Sequence, residues 1–105
     1  MNNKYHEGLY NNQMRALRKK LELRQTDVAD IMGFEVIDRI CHWERGRAQP
    51  GLINVIRLCK LYNVTIDELY PQLCQQIQEE ILESENRNYL RSLEKADSSG
   101  TPHTS

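Results

Sequence analysis

Cysteine is scarce in this chain and poorly placed for cross-linking. There are three, Cys41, Cys59 and Cys74. The number is odd and no C-x-x-C pair occurs, which argues against a disulfide framework and a zinc ribbon. Reduced, structural thiols are the expectation. Long apolar runs are missing, so no membrane span is expected. The opening residues, MNNKYHEGLY, hold no apolar h-region, so no secretion signal is expected and the protein should be cytoplasmic. Strong charge of one sign is missing too. The net charge is −1, which by itself points neither towards nor away from nucleic acid. No strand-type alternation and no internal repeat is visible. No glycine-rich phosphate loop, metal-ligand spacing or convergent acid–base pair occurs, so neither an enzyme nor a bound cofactor or metal is expected.

The charge that is present is unevenly spread. Residues 1–70 carry 11 Lys/Arg against 9 Asp/Glu, and residues 71–105 carry 3 against 6. The front is mildly basic and the back acidic. With 105 residues, 39% of them apolar and 28% charged, one small folded domain with a tail is feasible.

Helical spacing starts after a polar, Asn-rich arm over residues 1–11. Met14, Leu17 and Leu21 recur at three and four residues, and Asn11 or Asn12 can cap this first helix. A second helix, QTDVADIM, is expected to bury Val28, Ala29 and Met32 and to end at Gly33, since glycine tolerates the left-handed conformation of a helix terminus. A third is expected over residues 36–45, stopped by Gly46, with Pro50 beyond it. The fourth, GLINVIRLCKLY, is expected to turn Leu52, Val55, Ile56, Cys59 and Tyr62 inward and to close at Asn63. In VTIDELY, Thr65 and Glu68 match a capping box, with Ile66 and Leu69 inward. Residues 71–95 favour a further helix, with acids early and Arg87, Arg91 and Lys95 late, as the helix dipole prefers. Residues 96–105 read as a disordered tail.

The run QTDVADIMGF…RICHWERG has the ingredients of a helix-turn-helix. Ala29 is small enough for two helices to cross, Gly33 makes the turn, and Ile40 and Trp43 hold the third helix down. Together with WERGRAQP and NVTIDELY, residues 14–70 resemble the phage-repressor and Cro type of helix-turn-helix domain, the XRE-like transcriptional regulators. The resemblance implies an all-α protein: a five-helix DNA-binding domain over residues 12–70, followed here by an additional C-terminal helix and the tail. It implies that helix three enters the major groove, and that Arg18 of helix one pairs with Glu44 at the end of helix three. Three departures stand out. One extra residue lies in FEVID, between Gly33 and Glu44. Arg24 stands where a Ser or Thr usually caps helix two, leaving Thr26 as a weak substitute. Glu22 stands where glycine often ends helix one.

With Val36, Ile40 and Trp43 inward, a helical wheel leaves Glu35, Asp38, Arg39, Cys41, His42 and Arg45 outward. Asp38, Arg39 and His42 are the base-reading candidates, with Cys41 beside them. Arg39 suits guanine O6 and N7, and Asp38 suits cytosine N4. Arg45 and Arg47 flank the helix end and suit phosphates, as do Gln25 and Thr26 at the start of helix two. The bland alternative is that Arg45 and Arg47 are merely solvated and that Asp38 only caps its helix. Trp43 reads as core.

The resulting expectation is a sequence-specific DNA-binding transcriptional regulator, a repressor, with double-stranded DNA as partner and a possible homodimer through residues 71–95. Two alternatives stay open: a protein-interaction module on the same fold, and the DNA-binding antitoxin of a toxin–antitoxin pair.

Overall fold

The computed structural model describes residues 11–99, with side chains through residue 95. The expected arm at residues 1–11 lies almost wholly outside the described residues. Six helices occur among them and no strand: α1 Met14–Lys20, α2 Gln25–Met32, α3 Asp38–Glu44, α4 Leu52–Tyr62, α5 Ile66–Leu69 and α6 Pro71–Ser99. None is long and apolar enough to cross a membrane. The chain divides between Gln75 and Gln76 into two compact units. The helix-turn-helix lies in the first. The described part of the second consists of the remainder of α6, which continues to Ser99 where a tail was expected from residue 96.

One core holds the first unit together. Met14 of α1, Val28, Ala29 and Met32 of α2, Ile40 and Trp43 of α3, Leu58 and Tyr62 of α4, and Leu69 and Tyr70 are all buried. Most of these are the apolar positions that helical periodicity marks. The small Ala29 of α2 is buried in this core, and α2 packs against α3.

The helix ends follow backbone chemistry. Gly33 takes φ 82° and Asn63 φ 54°, each terminating its helix in the left-handed region. Gly46 does the same after α3 at φ 72°; its N–H reaches Trp43 O and the Arg47 N–H reaches His42 O at 2.9 Å. Asn12 accepts the Met14 N–H at 3.0 Å and donates to Trp43 O at 2.8 Å, joining the start of α1 to the end of α3. The Thr65–Glu68 capping box is complete, with bonds of 2.9 and 3.2 Å. At α2 the Asp27 carboxylate, not Thr26, supplies the cap by accepting the Arg24 N–H at 2.7 Å.

Several expectations are corrected. Helix three begins at Asp38, two residues later than expected, and ends at Glu44. Phe34 packs edge-on against Trp43, with ring centroids 5.7 Å apart, and Ile37 packs on the core. Between them Glu35 faces outward as expected, but Val36 is 60% exposed rather than inward. In α4 the inward stripe is Val55, Leu58, Cys59 and Tyr62; Leu52, 74% exposed, and Ile56, 46% exposed, face out. Leu21 lies past the end of α1 and is exposed, as is Ile66. In α6 the acids are absent from the first turn and the bases from the last.

Candidate nucleic-acid interface

The candidate surface is built on α3. Ile40 and Trp43 are buried, and this turns the opposite side of the helix outward. Asp38, Cys41, His42 and Arg45 follow at the i, i+3, i+4, i+7 spacing of one helical face. Asp38, His42 and Arg45 are exposed, and Cys41 is half-buried. Arg39 is also exposed but stands to one side. Its guanidinium lies 4.8 Å from the centroid of the Phe34 ring, a cation–π distance that orients the charge. Since Phe34 in turn rests on Trp43, Arg39 is referenced to the core. Arg47 lies beyond the Gly46 turn, exposed and apart from that face.

Beside α3 a cleft of about 690 Å³ opens between the ends of three helices. Arg15 and Arg18 come from α1, Arg24, Gln25 and Thr26 from the start of α2, and Arg45 from the end of α3. Three of the expected site residues, Gln25, Thr26 and Arg45, are therefore brought together. Arg15 and Arg24 were not singled out in the sequence. Arg15 stands one helical turn before Arg18, which is the only local signal; Arg24 is visible there only as an unusual cap.

Two of the cleft's arginines are engaged. The Arg18 Nε donates to Glu44 Oε2 at 2.6 Å, one terminal nitrogen donates to Glu44 Oε1 at 3.1 Å, and the other to Leu23 O at 2.9 Å. The side chains of Arg18 and Glu44 are 11% and 3% exposed, so the pair is largely shielded from water. The fork-on-carboxylate contact holds the Arg18 guanidinium above its ordinary pKa. Gln25 adds a bond from its amide nitrogen to Glu44 Oε1 at 3.1 Å. Its side chain is thus turned towards the pair. Arg24 pairs with Asp27 at 3.1 Å on the surface, and that guanidinium holds the Asp27 carboxyl below the usual carboxylate range.

Arg15 and Arg45 are exposed cations on the rim of the cleft, and the first turn of a helix leaves backbone N–H groups without intrahelical acceptors. Burial pushes Cys59 and Cys74 up, away from thiolate.

A family model described as helix-turn-helix matches residues 14–69. The chain belongs to that family, in its phage-repressor and Cro branch. Membership in the helix-turn-helix family makes this a DNA-binding regulator, with double-stranded DNA as its ligand class. The matched span takes in α1 to α5 and therefore both the α3 face and the cleft. No curated protein matches the chain, and no solved structure does.

Proposed function

We propose that the protein is a sequence-specific transcriptional repressor that reads the major groove with α3. The observation that carries this reading is the exposed α3 face lying next to a cationic cleft at the start of α2. One surface is chemically suited to base edges and the other to the flanking phosphates. Arg39 donates to guanine O6 and N7, Asp38 accepts from cytosine N4, and His42 and Cys41 touch the neighbouring base edges. Arg45, Arg47 and the first-turn N–H groups of Gln25 and Thr26 hold phosphates, joined by Arg15. Occupancy of a promoter by the bound protein closes it to polymerase. The protein works in the cytoplasm as a homodimer through α6, so that two copies of α3 meet inverted half-sites about one DNA turn, ~34 Å, apart.

Selection from random duplex DNA, followed by salt titration on the winning sequence, tests the proposal. An enriched inverted repeat is expected. The slope of log affinity against log salt should become shallower by about one for each phosphate-binding arginine replaced. Recovery of unenriched sequences from the full-length protein would contradict sequence-specific reading.

A further inference from the structure

The second half of α6 carries an apolar stripe. Leu82, Tyr89 and Leu93 lie on one side of the helix, at intervals of seven and four residues, with Leu90 at its edge. They are 53%, 63%, 46% and 50% exposed. A long helix with an exposed apolar stripe gains most of its stability from packing that stripe against something.

The charges indicate what. Residues 76–86 carry Glu79, Glu80, Glu83 and Glu85 and no cation, a net −4. Residues 87–95 carry Arg87, Arg91 and Lys95 against Glu94, a net +2. The helix dipole does not account for this gradient. The dipole acts within the first and last turns, and α6 has no acid in its first turn and no base in its last. The gradient sits in the middle of the helix, around the stripe.

A second copy of the same helix meets this pattern in only one direction. Side by side and parallel, −4 faces −4 and +2 faces +2. Antiparallel, each acidic half faces a basic half. We infer that α6 pairs antiparallel with α6 of a second copy, overlapping about residues 85 and 86. In that register Leu82 meets the partner's Tyr89 and Tyr89 meets the partner's Leu82, while Glu80 lies alongside the partner's Arg91. Paired helices lie about 8–10 Å apart, close to the Debye length of about 8 Å at physiological salt, so the charge term acts across the pair. This inference rests on the homodimer proposed above and is independent of how α3 reads bases.

The test uses the full-length protein with the photoreactive residue benzoylphenylalanine in place of Tyr89. Equal amounts of ¹⁵N-labelled and unlabelled protein are mixed, irradiated and mapped by mass spectrometry. Antiparallel pairing gives crosslinks between differently labelled copies at residues 79–85. Crosslinks between copies at residues 86–92 would show parallel pairing and overturn the inference while leaving a dimer intact. Crosslinks only within one copy, or to another surface of the second copy, overturn it as well. Sedimentation equilibrium of the unmodified protein at several salt concentrations gives a second readout. Antiparallel attraction makes self-association weaken as salt rises; parallel repulsion makes it strengthen. Replacing Arg87, Arg91 and Lys95 together by Glu should weaken the dimer by about ten-fold or more, and an unchanged association constant would contradict the pairing. A wild-type monomer at all concentrations defeats this inference and the homodimer together, whereas operator selection by α3 is judged by DNA binding alone.

Discussion

Arg18 and Glu44, twenty-six positions apart, meet as a two-pronged contact of 2.6 and 3.1 Å that joins α1 to the end of α3. Gln25 closes the same carboxylate from α2 at 3.1 Å. Three helices are thus tied at one carboxylate that is 3% exposed. Replacing Glu44 by Ala leaves a shielded guanidinium without its counter-charge and should cost roughly 3–5 kcal/mol. Thermal and urea unfolding would measure this. A variant as stable as the parent would show that the pair does not hold the helices.

Glu22 occupies the left-handed region at φ 59°, where a Cβ is strained. Glu22→Gly should stabilise the protein by about 0.5–1 kcal/mol, the relief of strain exceeding glycine's extra chain entropy. Gly33→Ala, at φ 82°, should destabilise by about 1 kcal/mol although the space beside it is open. Denaturant midpoints for the two variants should move in opposite directions. Equal shifts of the same sign would dismiss backbone strain as the cause.

Burial lifts the Tyr62 and Tyr70 phenols from the ordinary value of 10.0 to about 12 in the folded protein. The unfolded chain releases these protons near 10. The stability contributed by keeping them neutral is therefore whole below pH 10 and is lost as pH rises towards 12. Helicity, followed by circular dichroism, should fall in that window together with a step in tyrosinate absorbance. Tyr62→Phe and Tyr70→Phe should each shrink the step. Loss of helicity complete well below pH 10 would contradict this origin.

Arg39 is held 4.8 Å from the Phe34 ring centroid. If that contact prepositions Arg39 for DNA, Phe34→Leu should weaken specific binding by about two- to five-fold, the equivalent of an exposed cation–π contact of ~0.5–1 kcal/mol. Titration on the selected duplex reads this directly, with Arg39→Lys as a companion that keeps charge but loses the planar fork. Undiminished affinity in the Phe34 variant would show that Arg39 needs no such support.

Much of this was legible from the chain. Gly33, Gly46 and Asn63 mark helix ends because few residues tolerate their backbone angles, and Thr65 with Glu68 marks a start. The Arg18–Glu44 pairing came from family resemblance and is present. The inward face of α4 was misread for a physical reason. Val55, Cys59 and Tyr62 do face inward, but in LINVIRLCKLY apolar residues surround the helix, so Leu52 and Ile56 fit a stripe with them as well as Leu58 does. Only packing against the rest of the core selects between them. The helical wheel misplaces Val36 because α3 starts only at Asp38, so helical spacing does not set the side on which Val36 falls. The cleft was invisible because Arg15, Arg24 and Arg45 come from three segments and converge only once α1, α2 and α3 are packed.

The central claim is that α3 reads base edges while the cleft beside it holds the backbone. Repeating the duplex selection with Arg39→Ala and Arg45→Ala tests it most directly. The account predicts that Arg39→Ala loses preference at one base pair, at about 1–3 kcal/mol, and keeps the rest of the site. It predicts that Arg45→Ala keeps the whole site, binds it more weakly and has a shallower salt slope. An unchanged preferred site and affinity in both variants would contradict the account.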